Sequence, residues 1–532
     1  MKFFKIFKSF GILSIVPFSA TLVSCINKKN SDAIIFKIPY DKERESKPFY
    51  DVVNVYNGLL EHSTNNNYLP VEIEQSKNRN LIYHKIRLDL SSKNEYIPNL
   101  VLYYPSLANT LYGYQRSLNF HDLINESNID KKFIINNQQI NTLANENILL
   151  PFSVSGESLV INNILLGMFL DEGLRFLEKN DIKITLNLQR QQIFLTALNY
   201  YRSSNGQLKE TTKKFWMSQD ITFNSDKLRE FFTTVDDLNF KSNFGLINLA
   251  TKIAHTFSQK DSKVKIETFH IRSINNFVYS LLFNHAKSSY ANFFLKRKAN
   301  GLLDYSKVFK IGSEENEQLK WAFDYIKSSL INSKISLYNS ESDANPYIST
   351  KMFALTSTRF FELLKNNKTK KIKEFQFLPS PNKNDVNDKN ESFLVQGNSL
   401  IGISKTGVQN RSTINFVNWM YNKNNIINWK VGPKILKFTP VEYIAYKLGY
   451  IFPSDNFIKE YAKMTKPNLA NREFLLNAKR ENTLAFQEPV DNQSDAFRKN
   501  IALVFSKYLY NNLETATFSE FLFNLKKGIF GE

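Results

Sequence analysis

The alternation of apolar runs between Ala33 and Pro105 constrains the fold more than any other feature of the sequence. Ala33 to Ile38, AIIFKI, is a short continuous apolar run and reads as a buried strand. Phe49, Val52, Val53, Tyr56, Leu59 and Leu60 then recur at helical spacing, which predicts an amphipathic helix over 48–62. PVEIE at 70–74 predicts a second strand, Ile82, Ile86 and Leu90 mark a second helical face, and NLVLYY at 99–104 predicts a third strand stopped by Pro105. Strand, helix, strand, helix, strand is the order of a parallel sheet flanked by helices. Ligands of such sheets gather beyond the carboxyl ends of the strands. The segment YYPSLANTLYGY at 103–114 lies at such an end and reads as a loop.

From 164 to 375 the sequence is mostly helical in pattern, with aromatic-rich segments such as INNFVYSLLFNH and LKWAFDYIKSSL. Asn382 to Ser392 is polar and low in complexity, so a surface loop is expected there. FLVQGNSLIGIS at 393–404 reads as strand, glycine turn and strand, with Gly397-Asn398 as a hairpin turn. Ser412 is placed to cap the helix TINFVNWMYNK, and the chain from Lys434 onward reads as helices. No internal repeat is visible.

Cys25 is the only cysteine in 532 residues, and its surroundings bear on compartment. Lys2, Lys5 and Lys8 precede the apolar stretch FGILSIVPFSATLV at 10–23, which is too short for a comfortable bilayer span of ~20 residues. Leu22-Val23-Ser24-Cys25 resembles a bacterial lipobox. That resemblance implies cleavage before Cys25 and a diacylglyceryl thioether on its sulfur. An uncleaved signal anchor with an incidental cysteine is the alternative. With one thiol no internal disulfide forms, so stability must come from a large core.

Several function classes find no local support. The six histidines never fall at i,i+3 or i,i+4, and no zinc spacing, Walker loop, nucleophile elbow or EF-hand loop is present. The net charge is +19, with lysines scattered rather than clustered. Scattered charge fits composition drift, with Lys, Asn, Ile and Phe abundant, better than a patterned nucleic-acid footprint. The tightest basic run, Lys365 to Lys373, reads as a solvated helix end and loop.

Four separated stretches carry the functional argument: PNLVLYYPSLANTLYGY (98–114), ILLPFSVSGESLVINNILL (148–166), KMFALTSTRFFELL (351–364) and SFLVQGNSLIGISKTGVQNRSTINFVNWM (392–420). In this order, with LGYIFPSDNF (448–457), they resemble the sugar-type extracellular solute-binding proteins of ABC importers. Among these the chain is most similar to the large surface lipoproteins of mycoplasmas. The resemblance implies an α/β, two-lobed, periplasmic-binding-protein-like (type II) fold, helix-rich, with a lipidated N-terminal tether. It divides the chain into a signal peptide (1–24), a tether (25–32), the first lobe (33–150), a mostly helical second lobe (151–375), a return to the first lobe (376–430) and a C-terminal helical region packing across the lobes (431–532).

Candidate ligand contacts are residues of suitable type at predicted element ends: Tyr103, Tyr104, Ser106, Ser153, Ser155, Glu157, Thr356, Ser357, Thr358, Asn398 and Ser399. Aromatic faces stack on a pyranose, and hydroxyl or amide groups satisfy its hydroxyls. Each has a structural alternative: the tyrosines as packing residues, Thr356 to Thr358 as helix caps, Glu157 as a partner for a surface lysine. Trp216, Trp321, Trp419 and Trp429 read as core. No catalytic residue, cofactor or metal is expected. The expected partners are a small polar solute, with sugar as a candidate, a membrane through the lipid on Cys25, and an ABC permease. A surface adhesin or antigen binding host glycans or protein is the competing function, and a nuclease the third.

Overall fold

The computed structural model describes residues 32–62, 68–120, 123, 127, 129–134, 147–206, 209–210, 223–257, 268–299, 301–333, 335–337, 351–359, 374–464 and 468–531. The signal peptide, Cys25 and most of the tether, together with Trp216 and the basic run 365–373, lie outside them.

Four strands enter a first sheet: β1 (Ile34–Ile38), β2 (Val71–Gln75), β3 (Leu100–Tyr103) and β4 (Leu149–Ser155). The chain then builds a second sheet from β5 (Glu157–Asn162), β6 (Phe269–Ile271), β7 (Ser336–Leu337), β8 (Phe353–Ser357) and β9 (Phe375–Pro379). It returns through β10 (Glu391–Leu394) and β11 (Gln396–Gly402) and ends with the hairpin β12 (Ile427–Val431) and β13 (Lys434–Phe438), then β14 (Thr483–Phe486). The first sheet has the order β2-β1-β3-β11-β4 and the second the order β7-β6-β8-β5-β9. β1 runs parallel to β2 and β3, as the repeated strand–helix pattern predicts, whereas β11 is antiparallel to β3 and β4.

Two-residue alternation sorts the side chains of each sheet into two cores. In the first sheet Leu100, Leu102, Leu150, Phe152 and Leu400 face one layer, with Phe49, Val52, Phe416 and Ile444 from covering helices. Val101, Tyr103, Leu149 and Ile401 face the other, against Ile82, Ile86, Leu107 and Leu111. In the second sheet Leu159, Ile161, Phe353 and Leu355 face the largest core, while Val160 and Ala354 face a small cluster with Phe377 and Ala470. Each lobe is thus a sheet between helical layers.

Two crossings shape the space between lobes. β4 passes into β5 through Gly156 alone, and a Cβ at Gly156 would overlap the Phe474 ring. β10 pairs in parallel with β14, and their alternate residues belong to different lobes. Phe393 and Ala485 pack in the first-lobe core; Leu394 and Phe486 pack in the second, where Phe486 stacks on Phe283 at 4.1 Å between centroids. Residues 436–478 supply first-lobe core side chains and residues 497–525 second-lobe ones.

Five local expectations are corrected. Pro105–Gly113 is a helix rather than a loop: Pro105 sits at its first position, where a missing N–H costs nothing. Gly397-Asn398 is no hairpin turn. β11 continues through it with a bulge against β4 between Asn398 and Ser399, and Gly397 is at φ +146° because its backbone lies against the Ser153 carbonyl. Ser412 is interior to the helix Gly407–Tyr421; its hydroxyl accepts from the Leu69 amide across 343 residues of sequence. The polar stretch 382–392 is not simply solvated. Asn382 and Asn384 are buried, Asn382 exchanging amide hydrogen bonds with Asn477 and Asn384 bonding Asn243 and the Leu281 carbonyl. The chain beyond Lys434 holds two strands, β13 and β14, among its helices. Trp429 is core, donating to the Phe438 carbonyl, and Trp321 and Trp419 are half-buried at core edges.

Candidate functional site

The polar groups that converge between the lobes are built outward from the β4–β5 crossing. Ser153, near the end of β4, accepts from the Asn398 side-chain amide at 3.0 Å. The Asn398 carbonyl oxygen in turn accepts a fork from Arg79, Nε at 3.0 Å and Nη2 at 2.8 Å. Arg79 opens the helix Arg79–Ser91, capped by Asn78, and its guanidinium lies over the Tyr104 ring at 5.1 Å. The same Asn398 amide reaches the Tyr40 hydroxyl at 3.3 Å. Tyr40 is hydrogen-bonded to Tyr450, and both rings are buried.

Arg359 arrives at this point from the other lobe. It follows β8 by two residues, donates Nη1 to the Tyr450 hydroxyl at 3.0 Å and lies over the Tyr450 ring at 4.6 Å. Its Nη2 is 3.5 Å from Glu45 of the first lobe. Burial and the neighbouring phenol push the Tyr40 hydroxyl up. Tyr450 behaves oppositely: burial would raise it, but the charges of Arg359 and Arg79, together with hydrogen bonds to Tyr40 and Asn398, hold it below its ordinary value.

A second group continues the band. Glu157, first in β5, accepts from the Asn276 amide at 3.1 Å, and Asn276 exchanges hydrogen bonds with Gln396 at 2.9 and 2.7 Å. Arg498 bonds both Glu488 and Asn276. Asp495, one helical turn before Arg498, accepts from Ser106 at 2.8 Å and from Tyr103 at 3.4 Å, joining the second lobe to the first. Burial pushes Glu157 up to about 7, against the Asn276 hydrogen bond and the charges of Arg498 and Arg272. Burial also raises Glu488 and Asp495, with Arg498 opposing in both cases.

The candidate residues from the sequence fall along this band with different exposures. Tyr104 is the most open, at 39%. Tyr103, Ser106, Ser153, Asn398 and Glu157 are buried and hydrogen-bonded to the partners above. Ser155 pairs with Gln396 in the sheet, Glu157 with Ser357, and Ser399 with Tyr103 and Pro151. Thr356 lies 3.4 Å from Arg272, and the Ser357 hydroxyl accepts from the Arg359 amide at 3.3 Å. Thr358 bonds Gly156 through its backbone and is fully buried. Sequence reasoning missed Arg79, Arg359, Arg498, Asn276, Tyr40 and Tyr450. Arg359 directly follows the LTST stretch, whose hydroxyls stand out in the sequence more than the charge beside them does. Among the described residues no helix is long and apolar enough to cross a membrane, and no three His, Cys, Asp or Glu gather to hold a metal ion.

Comparison with known proteins locates this architecture. Residues 394–509 match the family described as "Putative mycoplasma lipoprotein, C-terminal region". An "Uncharacterized lipoprotein" of Mycoplasma pneumoniae is 40% identical over 97 residues, 18% of this chain and 12% of that protein. An "Uncharacterized protein" of the same organism is 26% identical over 180 residues, 32% of this chain and 36% of that protein. Both matches leave most of the relative's length uncovered. The fold extends over nearly the whole chain in solved structures. The cyclic alpha-maltosyl-1,6-maltose binding protein from Arthrobacter globiformis superposes with TM-score 0.54 at 9% identity, over 93% of this chain and 97% of that one. A cyclo/maltodextrin-binding protein complexed with maltotetraose gives 0.56 at 10% identity, over 94% and 96%. An ABC transporter solute-binding protein from Thermotoga lettingae, bound with alpha-D-tagatose, gives 0.50 at 13% identity, over 94% and 100%. Residues 394–509 thus resemble the C-terminal region of a mycoplasma lipoprotein family, and the chain has the two-lobed fold seen in sugar-binding solute-binding proteins.

Proposed function

We propose that the protein is a lipid-anchored extracellular receptor that captures a small polar solute between its lobes and presents it to an ABC permease. The observation that carries this reading is the band of arginine, tyrosine, amide and carboxyl groups contributed by both lobes, from Arg79 and Asn398 on one to Arg359, Asn276 and Arg498 on the other. A solute touching both halves favours the closed arrangement by its differential contacts there. The likeness to binding proteins whose ligands include maltotetraose and tagatose supports a carbohydrate or similarly hydroxylated solute. Tyr104 supplies the most exposed aromatic ring of the band, the kind of surface that stacks on a sugar. The reading is one of binding rather than catalysis. Cys25, at the end of the leader, is the proposed lipid attachment, with the polar residues to Asp32 as tether.

The test is a thermal-shift screen of the full-length protein, held in detergent, against saccharides and other polar solutes, followed by small-angle scattering with any hit. A true ligand at a hundred times its Kd stabilises by about 2.7 kcal/mol and compacts the particle. A screen without shifts, alongside salt-sensitive binding to host glycans, sinks the transport reading and favours an adhesin. Mass spectrometry of the membrane-extracted protein tests the anchor: an unmodified Met1 terminus removes it.

A further inference from the structure

The helix Glu314–Ser333 of the second lobe has two faces. Leu319, Ala322, Phe323, Ile326 and Leu330 enter the second-lobe core. Glu317, Lys320, Trp321, Asp324 and Tyr325 recur at three- and four-residue spacing, so they share the other face. An open hollow of about 300 Å³ lies there, lined among the described residues by these five. That volume is at the lower end of the ~300–1,000 Å³ of small-molecule sites.

Two rings form the floor. Trp321 and Tyr325 are one helical turn apart and nearly parallel, with 11° between their planes and 5.8 Å between centroids. Both are braced from behind: the His285 ring stacks on Trp321 at 3.8 Å, and Phe244 packs on Tyr325 at 4.9 Å. Neither His285 nor Phe244 borders the hollow, so the bracing leaves the hollow side of the floor uncovered. The floor is set before a ligand arrives, which lowers the ordering cost of binding. Charged groups stand at the rim. Lys320 Nζ pairs with Asp324 Oδ2 at 2.6 Å, with 45% and 53% of the side chains exposed, and Glu317 is exposed one turn before Trp321. Carboxylates accept hydrogen bonds and an ammonium donates them, so the rim offers both kinds of partner that a hydroxyl uses. Its charges sum to a single negative one, opposite in sign to the +19 of the whole chain.

The hollow is separate from the interlobe band. The helix Ile274–His285 holds Asn276 of the band in its first turn and His285 at its end, about 13 Å away along the axis. An aromatic floor with hydroxyl partners around it is the chemistry that recognises a sugar ring, whose C–H face lies on the π-face while its hydroxyls reach outward. We infer that this hollow is a second saccharide site, for a neutral sugar whose ring rests on Trp321 and Tyr325 and whose hydroxyls bond Glu317, Lys320 and Asp324. Built on one lobe alone, it binds without lobe closure. Its negative rim disfavours sialylated and sulfated sugars, which the overall charge of the chain would attract.

The experiment is fluorine NMR of full-length protein in detergent, labelled with fluorotryptophan, so that Trp321 has its own resonance, assigned by its loss in W321F. The titrants are maltotriose, lactose and sialyllactose. The expected result is that maltotriose or lactose shifts the Trp321 resonance saturably, the stronger one naming a glucose-type or galactose-type ligand, and that sialyllactose binds there about tenfold more weakly. E317A and D324A, at exposed positions that leave the core untouched, each weaken the neutral sugar severalfold. Y104A, which alters the interlobe band, leaves the Trp321 titration as it was. Should W321F fail to fold, the resonance displaced by D324A identifies Trp321. A Trp321 signal unmoved by either neutral sugar, or moved equally by sialyllactose, overturns the second site. A shift abolished by Y104A also overturns it, since the effect then comes from the interlobe band, and leaves the receptor reading standing.

Discussion

Replacing Glu157 by glutamine tests whether the β4–β5 crossing is held by a neutral acid. The carboxyl is buried, accepts one hydrogen bond from Asn276 at 3.1 Å, and is pushed up to about 7 from an ordinary 4.5. The folded protein therefore holds this proton more tightly than the unfolded chain does. Its contribution to stability is fully present below pH 4.5 and is lost as the pH rises through 7. The shift corresponds to about 3 kcal/mol across that window. A glutamine side chain at this position keeps a carbonyl acceptor for Asn276 and carries no charge, so it mimics the protonated acid. Glu157→Gln is expected to match the unaltered protein at about pH 4.5 and to be more stable by about 3 kcal/mol at about pH 8. Urea denaturation in small pH steps across this range reads the difference between the two proteins. The buried carboxyls of Glu488 and Asp495 titrate in both proteins and cancel. A difference that stays flat across the range, or a variant that is weaker at its alkaline end, would show that an ionised Glu157 is stabilised by Arg498 and Arg272, and would refute the reasoning.

Other substitutions probe the hinge and the polar band. Gly156→Ala places a methyl group into the Phe474 ring, at an expected cost of about 1–3 kcal/mol, and pairing it with Phe474→Leu should recover part of that in the same denaturation assay. Gly397→Ala meets both a φ of +146° and the Ser153 carbonyl, so it should cost about 3 kcal/mol or prevent folding, visible as lost soluble yield. Phe486→Ala removes a fully buried ring stacked on Phe283 and should cost about 3–5 kcal/mol by urea denaturation. Asp495→Ala frees Ser106 and Tyr103 of the first lobe, and small-angle scattering should show a larger radius of gyration without loss of secondary structure; an unchanged radius would mean that this contact does not hold the lobes.

What the sequence makes legible is local, and what it hides is long-range. β1 and β3 stand within a residue or two of their sequence positions because continuous apolar runs leave few alternatives for a buried strand, and β2 does so because its Val and Ile alternate with glutamates. The helix at 105–113 is hidden because proline ends strands and also begins helices, and composition cannot separate the two. β11 is hidden because Gly-Asn suits a tight turn, whereas here glycine is needed so that two backbones can touch. The burial of Asn382 and Asn384 depends on Asn477 and Asn243, far along the chain, and nothing in a run of polar residues signals such partners. The polar band between the lobes is the extreme case. Arg79, Arg359, Asn398 and Tyr450 come from four separate stretches of chain, and each is an ordinary residue where it stands.

The physical character of the contacts between lobes divides the hinge from the latch. The β10–β14 ladder has alternate residues locked into opposite cores, and the helix Leu469–Ala478 places Phe474, Leu475 and Ala478 in the first core while Ala470 rests on the outer face of the second sheet. Separating those apolar surfaces would expose them to water, at ~25 cal/mol for each Å², so the ladder stays intact when the lobes part. Other contacts between the lobes are polar: Arg359 with Tyr450 and Glu45, and Asp495 with Ser106 and Tyr103. Water substitutes for these at a net cost of only about 0.5–1.5 kcal/mol per neutral hydrogen bond, and somewhat more where a charge takes part. On the receptor reading, rotation about the ladder would break replaceable bonds and spare irreplaceable burial. The small cluster of Val160, Ala354, Phe377 and Ala470 is an apolar contact between the second sheet and the helix Leu469–Ala478, and its small side chains at Ala354 and Ala470 would suit the shear that lobe closure requires. On the receptor reading proposed above, a solute that replaces water between the polar groups of both lobes would set the balance between open and closed.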